Sequence, residues 1–287
     1  MSAVSFSPKT LADAYEALAQ GAVKVAGTTD LLVIDHATGR HHDAVLNVLG
    51  IAELGGITVE NDRLTLGAAT TFTQIRQSPD VARHVRLLSD AAATIGAAQI
   101  QNRATIGGNI ANASPAGDSL PALLALNAEV VLSGPRGRRT VAYEMFHTGY
   151  RTTVLAPDEL IERVIIPLPS PAIQIFRKVG TRAAQAISKV VIGFTADRDT
   201  AAHGRLSNVR LAMGSIAAVP VRLRDVESLI ESAPLSSSLA GQAAALIENT
   251  ITPIDDVRST ADYRRHVAGQ VVRRVLLELT PELMETS

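Results

Sequence analysis

Two glycine-bearing segments carry most of the chemistry this sequence can offer. The first, Val25-Ala26-Gly27-Thr28-Thr29-Asp30-Leu31, sets a glycine, two hydroxyls and a carboxylate directly after a short apolar run that includes Lys24. A strand that ends in a glycine turn and leads into a helix leaves backbone N–H groups without partners, a concavity suited to phosphate or pyrophosphate. A capped strand–turn–helix joint has the same residues, so this segment alone leaves both readings open. The second segment runs Thr105-Ile106-Gly107-Gly108-Asn109-Ile110-Ala111-Asn112-Ala113-Ser114-Pro115-Ala116-Gly117-Asp118. Paired glycines permit close approach of a ligand to the backbone, and Asn109, Asn112, Ser114 and Asp118 add polar atoms with little net charge. The alternative here is a structural Ω-loop. Neither G-x-x-x-x-G-K-[ST] nor G-x-G-x-x-G occurs, which removes the P-loop and the Rossmann fingerprint.

Elements must hold these segments in place. Leu11, Tyr15 and Leu18 recur at helical spacing, so residues 9–20 read as a helix stopped by Gly21. Residues 23–26 and 44–48 read as strands, and a helix starting near Leu31 is expected to take Thr29 or Asp30 as its cap. The runs 57–60 and 63–66 flank Asn61-Asp62 as a hairpin. Residues 71–78 and 80–94 read as helices, and 96–121 as a long irregular stretch of the kind that usually carries function. A helix over 120–126 and a strand over 129–132 follow, with strand or loop pieces at 141–146 and 159–167. Pro167, Pro169 and Pro171 mark a boundary. Beyond it, 174–180, 187–197 and 206–216 alternate as antiparallel strands, and 219–232, 236–249 and 258–279 as helices. The expected division is residues 1–170, with one lobe over about 1–55 and another over about 56–170, and then 171–287.

Composition narrows the function classes. The 287 residues carry 27 Lys+Arg against 28 Asp+Glu, a net charge of −1, which argues against a nucleic-acid binder. The basic run Arg136-Gly137-Arg138-Arg139 reads as a solvated turn between strands. There is no cysteine, so this chain supplies no thiolate for zinc or an iron–sulfur cluster and no disulfide. His36, His41 and His42, near Asp35 and Asp43, read as solvated surface rather than a metal site. No G-x-S-x-G elbow is present. With no apolar signal core at the N-terminus and no stretch long enough to insert in a membrane, a cytoplasmic protein is expected.

Taken together, the two segments resemble the signature of the FAD-binding subunit of the molybdenum hydroxylases, the xanthine dehydrogenase and carbon monoxide dehydrogenase family. That family's first loop typically reads A-G-G-T-D-L, and its second, T-I-G-G-N-I-A-N-A-S-P-A-x-D, is matched almost fully by residues 105–118. Residues 146–153 with Pro157-Asp158-Glu159-Leu160 resemble the G-Y-R-K-T…P-x-E-I stretch of xanthine dehydrogenases. Phe176-Arg177-Lys178 with Arg182 and Ile187-Ser188 resembles the start of the family's C-terminal domain, and Asp262-Tyr263-Arg264-Arg265 its last helix.

The resemblance implies an α+β fold: a bilobal PCMH-type FAD-binding domain, then a three-stranded antiparallel sheet with a helical bundle. It implies FAD as cofactor, a partner subunit with two 2Fe-2S clusters, a large molybdopterin subunit that hydroxylates the substrate, and NAD+ as one acceptor of electrons. Lys24, Val25, Ala26, Gly27, Thr28, Thr29, Asp30 and Leu31 would wrap the pyrophosphate. Thr105, Gly107, Gly108 and Asn109 would approach from the other side, with Ser114 in the same loop and Asp118 on ribityl or ribose hydroxyls. Ile95 and Ile161 would pack near the flavin, and Lys178 would reach it from the C-terminal domain. The xanthine dehydrogenase branch is favoured, with a CO dehydrogenase, an N-heterocycle or aldehyde hydroxylase, or a stand-alone flavoprotein oxidoreductase as alternatives. Two residues depart from the pattern. Thr28 stands where a second glycine is commoner, which demands an ordinary φ or backbone strain, and Ala186 replaces a frequent Asp.

Overall fold

The computed structural model describes residues 4–199 and 204–280; the extreme ends of the expected ranges, 1–3 and 281–287, lie outside the described residues. Its first sheet is parallel, in the order β1 (Val4–Phe6), β3 (Ala44–Asn47), β2 (Val23–Val25). Helix α1 (Leu11–Ala19) is capped by Thr10, whose hydroxyl accepts the Asp13 N–H, and buries Leu11, Ala14, Ala17 and Leu18 against Leu46, Ile51 and Leu54. Helix α2 (Leu31–Thr38) is held differently. None of its residues is fully buried, and the His42 Nε2–Asp35 Oδ2 contact at 2.9 Å pins its C-terminal half. Both side chains of that pair are largely shielded, so these two are not the solvated surface that the sequence suggests. No cluster of potential metal ligands occurs among the described residues.

The second sheet is antiparallel, in the order β4 (Ile57–Glu60), β5 (Arg63–Gly67), β10 (Leu160–Pro167), β6 (Glu129–Gly134), β7 (Gly137–Ala142). The turn between β4 and β5 puts both Asn61 and Asp62 in the left-handed region, the geometry a two-residue hairpin needs even without glycine. The basic turn between β6 and β7 is exposed, as the sequence suggests, and its arginines also form ion pairs. Arg136, Arg138 and Arg139 pair with Asp158, Glu162 and Glu159, and the Arg139 guanidinium holds the Glu159 carboxyl down at about 2.

One face of this sheet is covered by α3 (Phe72–Gln77), α4 (Pro79–His84), α5 (Arg86–Thr94), α6 (Ala98–Gln101), α7 (Ile106–Asn112) and α8 (Ser119–Ala125) around a core that includes Leu64, Leu66, Phe72, Leu88, Leu123 and Val164. The expected helix over 80–94 is broken at Val85. The reason is tertiary: Gln174 donates to the His84 carbonyl (3.1 Å) and accepts the Leu87 N–H (3.1 Å), satisfying the groups the break exposes. The stretch 96–121 is not irregular, as the glycines and prolines suggest, but contains α6, α7 and the start of α8. Tertiary contacts explain this. Thr105 caps α7 by accepting the Gly108 N–H at 3.1 Å, and the Ile106 and Gly107 N–H groups bond to the Thr70 and Ala68 carbonyls beyond β5.

A short hairpin, β8 (His147–Gly149) with β9 (Thr152–Thr153), follows β7. His147 sits against Tyr143 and Phe146, and burial pushes its imidazole down to about 4 from 6.5. The unfolded chain therefore protonates near 6.5 while the folded chain resists protonation until about 4. Stability from this site is complete above 6.5 and is lost as pH falls through that window, by about 3 kcal/mol at most. The stability difference between wild type and His147→Gln is accordingly expected to narrow as urea midpoints are followed from pH about 7 down to about 4. A difference that stays constant over this range refutes the assignment.

The third sheet is antiparallel, in the order β11 (Ile173–Val179), β12 (Val190–Arg198), β13 (Leu206–Gly214), β14 (Val221–Arg222). The three long strands follow the sequence pattern; β14 adds a two-residue edge where a helix was expected to begin. One face packs on α9 (Arg224–Ser232), α10 (Ser237–Thr250) and α11 (Ala261–Glu278). The other joins the second core through Phe176, Val191 and Ala212. Gly193 permits this: a Cβ there would stand 2.8 Å from the Pro121 carbonyl oxygen of α8. Arg264, almost wholly buried, ties α11 to the sheet by donating to the Lys189 and Ser215 carbonyls and to Asp256.

Candidate functional site: a cleft between two loops

The end of β2 and the start of α7 face one another across a cleft of ≈ 340 Å³. Residues 24–31 form one wall, and Ala104, Thr105, Gly107, Gly108, Asn109, Ala111 and Asn112 the other. Ile34, Val48, Ala68, Leu155, Leu160 and Ile161 complete the lining. Gly27 and Gly108 therefore belong to the same cavity. Ile161 lies where β10 shifts register against β6, an irregularity common beside functional sites.

The two glycine segments do different work. Among the described residues, no backbone N–H from Gly27 through Leu31 has a protein hydrogen-bond partner. These five consecutive donors line the cleft and open the eight-residue helix α2, an arrangement that favours an anion. The N-terminal N–H groups of α7 are by contrast all engaged, by Thr70, Ala68 and Thr105. The second segment shapes the cleft instead of donating to it. Gly107 sits so close to Ala68 that a Cβ would approach it within 2.6 Å, whereas a Cβ on Gly108 would meet only the Thr105 hydroxyl, at 2.9 Å. Asn109 is oriented by Ser119, whose hydroxyl donates to its Oδ1 at 2.7 Å.

Other groups at the cleft are strained or incompletely satisfied. Thr28 has φ +59°, so the unusual residue does occupy the left-handed conformation a second glycine would take. A β-branched residue there is strained by about 1–3 kcal/mol, and its hydroxyl donates to the Gly27 carbonyl at 2.8 Å. Thr28→Gly is expected to raise stability by about 1 kcal/mol net of the entropy glycine adds to the unfolded chain; an unchanged or lower thermal midpoint rejects this. The Lys24 ammonium donates to the Ala156 carbonyl at 3.2 Å, and burial lowers its pKa. Asp30 occupies the N-cap of α2 but makes no capping bond, contrary to the expectation that Thr29 or Asp30 caps it. Its Oδ2 is closed to solvent without a hydrogen-bond partner, and Arg151 lies 3.6 Å away.

Four residues expected at the site lie outside this lining. Ile95 ends α5 and packs on the second core, and Ser114 accepts the Ala116 N–H in the loop after α7. Asp118 and Lys178 meet each other at 2.5 Å across the junction between α8 and β11. Lys178 also donates to the Thr94 carbonyl (3.0 Å), and the Ser188 hydroxyl donates to Asp118. Burial raises the Asp118 carboxyl above its ordinary value, while Lys178, Ser188 and Thr94 draw it back. The small residues Ala68 and Ala104 and the apolar Leu155 escaped sequence reasoning, since nothing in their spacing distinguishes them from core. Arg151 did carry a signal, lying in the Gly149-Tyr150-Arg151 stretch.

These features fit a dinucleotide: an open row of N–H donors for a pyrophosphate, a glycine leaving space opposite, and an apolar floor. Comparison with known proteins agrees. The family described as the FAD binding domain in molybdopterin dehydrogenase matches residues 2–169, and the CO dehydrogenase flavoprotein C-terminal domain matches 175–279. The chain is 33% identical over 275 residues to the xanthine dehydrogenase FAD-binding subunit of Escherichia coli O157:H7, covering 94% of this chain and 93% of that protein. It is 31% identical to the nicotinate dehydrogenase FAD-subunit of Eubacterium barkeri, covering 97% and 96%. Among solved structures it resembles carbon monoxide dehydrogenase from Hydrogenophaga pseudoflava lacking the Mo-pyranopterin moiety, with a TM-score of 0.89, 27% identity and 96% of each chain covered. With FAD as its cofactor and an oxidoreductase as its setting, the chain belongs to the FAD-binding subunits of the molybdenum hydroxylase family.

Proposed function

We propose that this chain is the electron-exit subunit of a xanthine dehydrogenase-like molybdenum hydroxylase. Its partners in this reading are a large molybdopterin subunit that hydroxylates the substrate and a small subunit with 2Fe-2S clusters, and its acceptor is NAD+. The setting is cytoplasmic; no helix among the described residues is long and apolar enough to cross a membrane. In this reading the chain divides at the proline cluster into an FAD-binding part, 1–170, and a C-terminal part, 171–287. The observation that carries it is the cleft: among the described residues, five N–H groups from Gly27 to Leu31 have no protein partner and belong to the same lining as Gly108, which leaves open space there.

Bound FAD supplies the redox chemistry, accepting electrons singly and delivering them as a hydride. The chain's own residues bind and orient it. Residues 24–31 offer donors to the pyrophosphate, Gly107 lets α7 lie close against Ala68, Gly108 leaves room, and Ile161 contributes an apolar surface. Asp118 and Lys178 fix the junction behind Asn109 through the neighbouring Ser119. A chain without cysteine is suited to relay electrons from clusters held elsewhere.

The native complex, isolated by pull-down, is expected to contain molybdenum, iron and FAD and to reduce NAD+ with xanthine. Absence of molybdenum and iron refutes the assembly. Gly108→Val is expected to fold but lose FAD, because its branched side chain fills the cleft; normal flavin content in that variant removes the second loop from the site. The similarity to the nicotinate dehydrogenase subunit supports a second reading, an N-heterocycle hydroxylase. Turnover of nicotinate but not xanthine selects it. Substrate turnover by the isolated chain selects a stand-alone flavoprotein.

A further inference from the structure

Arg151 occupies the turn between β8 and β9 in the left-handed region, φ +51°, an uncommon conformation for a non-glycine residue. From there a single guanidinium nitrogen, Nη1, reaches both walls of the cleft. It donates to Asn112 Oδ1 at 3.2 Å and lies 3.6 Å from Asp30 Oδ2. Asp30 is an awkward residue at this place. Its own N–H is one of the five open donors, yet its carboxylate adds negative charge where an anion is to bind, and one of its oxygens is desolvated without a hydrogen bond. A like charge a few ångströms from a pyrophosphate opposes binding. Among the described residues the one cation in the cleft lining itself, Lys24, is turned to the Ala156 carbonyl.

We propose that Arg151 is a positioning residue for the cofactor: by neutralising Asp30 and bridging to Asn112, it keeps the row of N–H donors receptive to a pyrophosphate. The inference rests on the reading of the cleft as the FAD site. It predicts an electrostatic dependence that a purely structural clasp lacks.

The test titrates FAD into the full-length chain stripped of flavin, following quenching of flavin fluorescence. Arg151→Met is expected to raise the Kd about 10-fold, with a smaller rise for Arg151→Lys. Adding Asp30→Asn to Arg151→Met is expected to recover most of the lost affinity, because the repulsive charge is gone. Wild-type affinity in Arg151→Met overturns the proposal, and so does a double variant as weak as the single one. If Arg151→Met fails to fold, Arg151→Lys with and without Asp30→Asn supplies the same comparison. Failure of the wild-type chain to bind FAD refutes the cleft assignment itself, whereas tight wild-type binding with no effect at Arg151 refutes only this inference.

Discussion

Replacing Gly27 with alanine is expected to abolish FAD retention and to loosen the contact between the first and second loops. The added Cβ would stand 1.9 Å from the Arg103 carbonyl oxygen, 2.5 Å from its carbon and 2.9 Å from Ala104 Cα. All three are backbone atoms, so no rotamer change relieves the clash. Either the first loop withdraws, carrying its row of N–H donors with it, or Arg103 and Ala104 move. Ala104 accepts the Phe72 N–H, and Phe72 is fully buried, so the second course disturbs the core of the second sheet. Overpacking of this kind costs about 1–3 kcal/mol in stability, and more where backbone must shift. Flavin absorbance near its visible maximum, read against protein concentration, measures the first effect, and thermal unfolding of the stripped protein the second. A Gly27→Ala protein with normal flavin content and an unchanged midpoint disproves the close approach of the two loops.

The second large effect is expected at Lys178. Its ammonium and the Asp118 carboxylate are both shielded, with side-chain exposures of 12% and 7%. Truncation to methionine leaves the carboxylate buried without its counter-charge, which costs about 3–5 kcal/mol. Thr94 loses a donor to its carbonyl at the same time. Adding Asp118→Asn to Lys178→Met is expected to restore much of the loss, since the amide stays neutral and can still bond to Ser188 and Thr94. Urea unfolding of the two single variants and the double variant closes the cycle. Equal stability of wild type and Lys178→Met sinks this account. Asp118→Ala acts on the same junction. With its oxygens engaged by Lys178, Ser188 and Thr94, the variant is expected to lower folding stability first and flavin affinity only through the displaced Ser119–Asn109 contact.

Much of the molecule is dictated locally. The helix at α1, the Asn61-Asp62 hairpin and the three long strands of the third sheet follow from side-chain periodicity and turn chemistry, which act over a few residues. Residues 24–31 and 105–118 read by themselves as a phosphate concavity or a capped joint and as a ligand loop or a structural Ω-loop; their resemblance to the family's two signature segments is what pointed to FAD.

Other features required partners distant in the chain. The helix α7 forms through a paired-glycine sequence because Thr70 and Ala68 accept its first N–H groups and Thr105 caps it; the same bonds take those donors away from a ligand. The break at Val85 depends on Gln174, nearly ninety residues later. The separation of Asp118 and Lys178 from the cleft lining, and the span of Arg151 from Asp30 to Asn112, follow from how three sheets are docked. Sequence alone determined where glycine turns with phosphate-friendly backbone could form, since that capacity is a property of short backbone segments. Tertiary structure decided which of their donors remain free, since each hydrogen bond made within the fold withdraws a group from the ligand.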